Sequence, residues 1–163
     1  MQIMRDLEVD LGGLREVNKN DDHPVVKKQI EKIINTQMRG AEVTVASNQD
    51  YVTQEIRKPG GVMTVRSKWA RSVGKINKDE LGRWTRTTLT TENFRLAVYK
   101  VYVPSGTSLG GPATVRRQLQ HSVDMMGGTL SSKEQIYCDL LLELQRYTSL
   151  GYEVVIGGIS MNL

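Results

Sequence analysis

The densest group of residues that could do chemistry is a basic stretch in the middle of the chain. Between Arg57 and Arg86 there are nine lysines and arginines, at positions 57, 58, 66, 68, 71, 75, 78, 83 and 86, against two acids. A run of this kind attracts phosphate backbones, because its cations replace counterions on a nucleic acid. The alternative is the solvated face of a strand pair. If the stretch binds nucleic acid, we expect Lys68, Arg71 and Lys75 to make the contacts.

Other common chemistries find little support in the composition. One cysteine, Cys138, excludes an intramolecular disulfide, and two histidines are few for a zinc site. Cys138 falls in an apolar helical pattern, so we expect a buried structural thiol. We interpret His23 and His121 as structural or surface residues. Gly110–Gly111 precedes a predicted helix, but no lysine follows it as in a phosphate-binding loop.

The overall composition is that of a folded domain. Hydrophobic residues make up 39% and charged residues 25% of 163 residues, with a net charge of +4, which is typical of one globular domain. The longest apolar runs fall far short of the ~20 residues that a membrane span needs. With a single thiol and no signal-peptide pattern, we expect an intracellular protein, in cytoplasm or nucleus, that is neither secreted nor membrane-bound. The oligomeric state is left open.

Helical patterns are predicted in the first and last thirds of the chain. Pro24 suits the first position of a helix, and Asp22 is expected to cap it. Arg39–Gly40 is predicted to end the same helix. Apolar residues then recur at helical spacing, at Val26, Ile30, Ile33, Ile34 and Met38. A further helix is predicted to begin near Pro112 and end at Gly127–Gly128. Ser131–Glu134 has the form of a capping box and opens another helix, whose predicted buried stripe is Ile136, Leu140, Leu141, Leu144 and Tyr147.

The middle of the chain has a β pattern. Segments rich in β-branched and aromatic residues lie at 42–45, 61–65, 83–89 and 94–103, separated by turn residues that include Asn77–Lys78–Asp79. We also expect a short strand at 7–11, running into a loop from Gly12, and a last strand at 152–156. Successive strands with short connections favour an antiparallel or mixed sheet. The sequence therefore predicts an α/β fold, a mixed sheet with packed helices.

Five short segments resemble, in order, the motifs of one superfamily. They are Leu14–Arg15–Glu16–Val17–Asn18, Pro59–Gly60–Gly61–Val62, Leu81–Gly82–Arg83–Trp84–Thr85, Val101–Tyr102–Val103–Pro104 and Val154–Val155–Ile156–Gly157–Gly158. These are similar to the "LQE-x-N", "pGG", "GRW" and "vYxP" motifs and the approach to "GDxN" of the endonuclease/exonuclease/phosphatase (deoxyribonuclease I-like) superfamily, with forms typical of its retroelement- and virus-associated members. The resemblance implies part of a four-layer α/β sandwich, with residues 1–163 a single domain truncated at both ends.

The resemblance also assigns roles to individual residues. It implies that Glu16 is a ligand of Mg²⁺ (or Mn²⁺), and that Tyr102 orients the phosphate or the attacking water. It matches Asn162 to an asparagine that contacts the transferring phosphate. Arg83 and Trp84 would face nucleic acid through phosphate pairing and base stacking. Each role has a structural alternative: a loop glutamate for Glu16, a strand-end tyrosine for Tyr102 and a core tryptophan for Trp84.

The chain also departs from the motifs that it resembles. Ile159 or Ser160 stands where the superfamily has an aspartate, and neither side chain accepts a proton near neutral pH. The first strand, with its metal-linked asparagine, and the last aspartate-histidine motif would lie outside residues 1–163. The first hypothesis is thus a metal-dependent endonuclease-type hydrolase acting on nucleic acid, DNA rather than RNA. The alternatives are a non-catalytic nucleic-acid-binding module that keeps the fold, and a fragment without a function of its own.

Overall fold

The computed structural model describes residues 10–50, 53–68, 70, 74–104 and 115–158. Within those ranges the chain forms seven strands and three helices. In chain order they are β1 (Leu11–Arg15), α1 (Pro24–Gln37), β2 (Glu42–Ala46), β3 (Val62–Arg66), β4 (Gly74–Lys78), β5 (Trp84–Thr90), β6 (Arg95–Val101), α2 (Val115–Met125), α3 (Ser132–Ser149) and β7 (Glu153–Gly157). None of these helices is long and apolar enough to cross a membrane.

The strands form two sheets that pack face to face. One sheet has the order β1-β3-β2, with β3 antiparallel to both neighbours. The other has the order β4-β5-β6-β7, and its last pair, β6 and β7, is parallel. Strands β1, β2 and β3 contact β4, β5 and β6 across the interface. A parallel pair needs a long crossover connection, and α2 and α3 lie within the one that joins β6 to β7.

The helices cover the outer faces of both sheets. Ile34 of α1 packs on Val45, Met63 and Val65 of the first sheet. On the second sheet, alternate residues of β6 pack under α2 and α3 in a core of Trp84, Ala97, Tyr99, Val101, Val103, Leu119, Ile136 and Leu140. The layers therefore follow the order helix, sheet, sheet, helix. This confirms the predicted α/β fold with a mixed sheet and packed helices in a four-layer sandwich.

The interface between the two sheets is unusually polar. In a strand, alternate side chains point to opposite faces, so Thr64 of β3 and Thr85 of β5 face the interface. Both are buried, and their hydroxyls share a hydrogen bond. The buried Thr87 follows on the same face of β5. A hydrogen bond between two side chains thus joins the sheets at this point.

Several local expectations are wrong. The loop expected from Gly12 is wrong, because Gly12 and Gly13 belong to strand β1, Leu11–Arg15. Residues 7–9 of the expected strand lie outside the described residues. Asn77 and Lys78 end a strand, β4, that the sequence did not predict. His23 occupies the N-cap of α1 without a side-chain cap bond. Asp22 pairs instead with the buried Lys58, at 3.2 Å.

Some predicted core positions are also exposed. Ile33 and Leu141 lie at the surface, and so does Cys138. By contrast, the capping box at Ser131 and Glu134 is present in full. The hydrogen bonds to Ser131 lower the pKa of the Glu134 carboxyl.

Candidate active site

The ends of three strands converge at one edge of the sandwich. Because β6 and β7 are parallel, their carboxyl ends share an edge, and β1 contacts β6 from the other sheet. The hydroxyl of Tyr102, which follows β6, donates a hydrogen bond to Oε1 of Glu16, which follows β1, at 3.1 Å. Nη1 of Arg15 donates to the carbonyl oxygen of Gly158, which follows β7, at 2.9 Å. Residues from three of the five motifs are therefore in direct contact.

The loop that carries Glu16 has an uncommon backbone. Glu16 and Asn18 adopt φ angles of 54° and 51°, in the left-handed region that non-glycine residues rarely occupy. Asparagine tolerates this region better than most residues, because its short polar side chain can bond locally. Asn18 does so here: its Nδ2 donates to the carbonyl oxygen of Glu16 at 3.0 Å. The strained turn is thereby fixed at the residue that presents the carboxylate.

Asn18 also joins this loop to the Pro59–Gly60–Gly61 segment. The amide of Gly60 donates to Oδ1 of Asn18 at 2.9 Å, and the amide of Asn18 donates to the carbonyl of Gly60 at 2.8 Å. Gly60 has a φ of 78°, and a Cβ at this position would lie 3.2 Å from Cε1 of Tyr102 and 2.6 Å from Val115. Glycine at 60 thus allows the loop to pack against the Tyr102 ring. A fourth motif is in this way part of the same site.

The electrostatics of the pair favour a protonated tyrosine. Burial raises the pKa of Tyr102, and the nearby charge and hydrogen bond of Glu16 raise it further, while Arg15 opposes them. The hydroxyl is therefore a hydrogen-bond donor at neutral pH. Glu16 itself is exposed. A carboxylate has about four lone-pair positions, so the bond from Tyr102 leaves acceptor capacity facing solvent.

The residues present fit magnesium better than zinc. Mg²⁺ is usually held by one or two carboxylates, with water and substrate phosphate completing its shell. Glu16 can serve as such a single carboxylate at an open edge. Among the described residues, no group of three or more His, Cys, Asp or Glu side chains could hold a metal ion. A closed metal site of the zinc type is therefore not found in this part of the chain.

The basic stretch is largely neutralised within the fold, which neither of the sequence interpretations anticipated. Of the eight of its cations that the structure describes, five pair with carboxylates: Lys58 with Asp22, Arg66 with Glu42, Lys78 with Asp21, Arg83 with Asp79 and Asp139, and Arg86 with Glu143. Arg57, Lys68 and Lys75 are exposed. Lys68 and Lys75 therefore remain candidates for contact with nucleic acid, whereas Arg71 lies outside the described residues.

Arg83 and Trp84 have structural positions instead of the expected surface ones. Arg83 is 7% exposed, and its guanidinium is held by Asp79 at 2.9 Å and by Asp139. Burial lowers the pKa of Arg83, but the bonds and charges of the two aspartates raise it overall. The guanidinium also stacks on the Trp84 ring, 4.3 Å from its centroid, and Trp84 is 5% exposed within the core. Both side chains are thus held by contacts within the fold, although they also line a cleft, and their contact with nucleic acid stays a prediction.

Two site features were not singled out from the sequence. The first is the bond from Arg15 to Gly158. Arg15 lies inside a motif, but the bond joins residues 143 positions apart and could not be predicted from the sequence near either one. A cleft of about 860 Å³, lined by residues that include Arg86, His121 and Glu143, lies elsewhere and contains neither Glu16 nor Tyr102. Asn162, expected to contact the phosphate, falls outside the described residues.

Comparison with protein-family models finds no match, and comparison with curated proteins finds none either. Among solved structures, the human Nocturnin catalytic domain with a bound sulfate anion is similar, with a TM-score of 0.51 and 13% identity. The match covers 95% of this chain and 52% of that domain, so the chain spans about half of its structural neighbour's length. Identity this low concerns the fold alone. The chain therefore has a deoxyribonuclease I-like fold.

Proposed function

We propose that the chain is a metal-dependent phosphodiester hydrolase of the endonuclease type that acts on nucleic acid. The observation that carries the proposal is the hydrogen bond between Tyr102 and Glu16 at the shared edge of the strands. The fold supports it, since the similar Nocturnin domain binds a sulfate anion, a tetrahedral oxyanion like phosphate. The retroelement or viral relationship stays part of this proposal and rests on the form of the motifs.

Glu16 would hold Mg²⁺ or Mn²⁺ through its exposed carboxylate. A metal bound there would supply charge that stabilises a phosphorane-like transition state. Tyr102, protonated at neutral pH, would donate its hydroxyl to Glu16 or to a phosphoryl oxygen and orient either one. Asn162 is proposed to contact the same phosphate, and Lys68, Arg71 and Lys75 to contact the nucleic-acid backbone.

Nicking of supercoiled plasmid by the purified chain in Mg²⁺ tests the proposal. Glu16→Gln keeps the shape of the side chain but removes its charge, so we expect nicking to fall by at least about 100-fold. Glu31→Gln, on the exposed face of α1, is the matched control and should nick like the unaltered protein. Equal nicking by both variants, or nicking that persists in EDTA, would refute the role of Glu16. Matched DNA and RNA oligonucleotides test the expected preference for DNA.

A non-catalytic binding module is the second candidate function. It is favoured because Ile159 or Ser160 stands where the motif has an aspartate that would help to activate water. Such a module would bind nucleic acid, the logarithm of its affinity would fall linearly with the logarithm of the salt concentration, and it would show no turnover. The triple variant Lys68→Ala/Arg71→Ala/Lys75→Ala should then weaken binding. Unchanged binding by that variant would exclude this face as the contact surface.

A further inference from the structure

Lys100 occupies a passage between the two sheets next to the candidate site. On β6 it lies two residues before Tyr102, and so points to the same face of the strand. Its stem covers Gly13 of β1, where an added Cβ would lie 2.8 Å from Cγ of the lysine. Its Nζ lies 3.2 Å from the position of a Cβ at Gly157 of β7. Two glycines on different strands therefore leave room for one lysine that reaches the edge where β1, β6 and β7 end.

This lysine differs from the buried cations among the described residues. Lys58, Arg66, Arg83 and Arg86 are buried, and all four have carboxylate partners. Lys100 is half-buried, yet among the described residues no carboxylate is recorded within 4.0 Å of its ammonium. Arg15 donates to the neutral carbonyl of Gly158. Two cations for which the described residues show no carboxylate partner thus lie at Gly157 and Gly158.

A partly buried cation without a partner loses hydration that no internal anion replaces. The ammonium of Lys100 and the remaining N–H groups of Arg15 are therefore free to donate hydrogen bonds to an external anion. A phosphate matches both, since guanidinium binds two of its oxygens at once and ammonium acts as a point charge. The neighbouring Glu16 carboxylate repels anions, so the two cations also offset that repulsion at the site.

We propose that Lys100 and Arg15 form a phosphate subsite for the nucleic-acid backbone, beside the phosphate that would be cleaved at Glu16 and Tyr102. This rests on the proposed function of the site. The subsite binds a neighbouring phosphate of the same strand and so fixes the register of the substrate over Glu16 and Tyr102. Lys100 and Arg15 are substrate-binding residues in this scheme and take no part in bond cleavage.

Binding of a fluorescein-labelled oligothymidylate, followed by anisotropy in EDTA, tests the subsite without cleavage. Each phosphate contact on a single strand contributes about 0.7 to the slope of log affinity against log salt. Lys100→Met and Arg15→Gln should each flatten the slope by about this amount, so that affinity falls about 2.6-fold less between roughly 50 and 200 mM salt. Lys28→Met, on the exposed surface of α1, is the control and should keep the original slope within error. Lys100→Arg should keep it too.

The outcomes separate the subsite from the proposed function. If Lys100→Met and Arg15→Gln bind with the slope of the control, the subsite is refuted, while Mg²⁺-dependent nicking lost in Glu16→Gln would leave the proposed function standing. If the unaltered chain does not bind the oligonucleotide at about 50 mM salt, the subsite is refuted as well. Arg15 is exposed, so its variant reports on charge even if loss of the Lys100 stem over Gly13 disturbs folding.

Discussion

Asn18 gives the sharpest test of how the candidate site is held together. Asn18→Ala removes the acceptor of the Gly60 amide and the donor to the carbonyl of Glu16. Gly60 is buried, and a buried amide without a partner costs about 1–3 kcal/mol. Alanine at a φ near 51° adds about 1 kcal/mol of backbone strain. We therefore expect the free energy of unfolding to fall by about 2–4 kcal/mol.

Two further variants at the same position separate these causes. Asn18→Gly loses both side-chain bonds but adopts a positive φ freely, so it should be about 1 kcal/mol more stable than Asn18→Ala. Asn18→Asp keeps an acceptor for the Gly60 amide and loses only the donor to Glu16. It should therefore be the most stable of the three, within about 1.5 kcal/mol of the unaltered protein.

Urea unfolding followed by circular dichroism measures these differences, provided that the slope with urea stays constant. Nicking assays on the folded variants then show whether the site depends on the turn. A free energy of unfolding for Asn18→Ala within about 0.5 kcal/mol of the unaltered protein, a change of the size seen at ordinary surface positions, would show that the two side-chain bonds do not stabilise the turn. An alanine variant more stable than the glycine variant would show that φ strain is absent at this position.

Three other predictions concern the fold around the site. Thr85→Val leaves the buried Thr64 hydroxyl without its partner and should cost about 1–2 kcal/mol, whereas Thr64→Val/Thr85→Val should recover most of that loss; additive losses in denaturant unfolding would contradict this. Arg83→Met leaves Asp79, whose side chain is 9% exposed, without its buried partner, so the free energy of unfolding should fall by about 3–5 kcal/mol. The salt dependence of nucleic-acid binding should stay unchanged. A flatter slope of log affinity against log salt would instead show that Arg83 contacts the nucleic acid. Burial and Glu16 raise the pKa of Tyr102, so its contribution to stability is complete below about pH 10 and falls by about 1.4 kcal/mol per pH unit above it, because the unfolded tyrosine ionises first. Tyr102→Phe should reduce this alkaline loss in unfolding measured from about pH 8 to about pH 11, whereas Tyr99, whose pKa burial raises to about 12, contributes equally in both proteins.

Elements with a strong local pattern could be predicted from the sequence. The Ser131 capping box opens α3 as expected, and the apolar strands at Glu42–Ala46 and Val62–Arg66 lie within one residue of their predicted positions. The β4 strand, Gly74–Lys78, could not be found in this way. It has a single apolar residue, Ile76, among lysines and an asparagine, so it lacks the alternating pattern of a strand. It forms because β5 pairs with it along its full length.

Charge was the least predictable property. Whether a cation faces solvent or a carboxylate depends on partners that are distant in sequence: Arg83 and Asp139 are 56 residues apart, and Arg86 and Glu143 are 57 apart. A count of charges along the chain contains no such information. The convergence of Glu16 and Tyr102 is equally non-local, and could be expected only from the ordered motifs, not from the residues near either one.

The bond between Arg15 and Gly158 has a consequence for how the protein reaches its native state. It joins residues 143 positions apart, and it can form only after β7 has added to β6 across the long crossover. Contacts of such high sequence separation form slowly, because chain closure costs entropy before any contact repays it. A chain paused with α3 formed but β7 undocked would keep much of its helical signal and have no complete site. Recovery of phosphate binding after refolding should therefore lag behind recovery of helix, which makes the site itself a reporter of the final docking step.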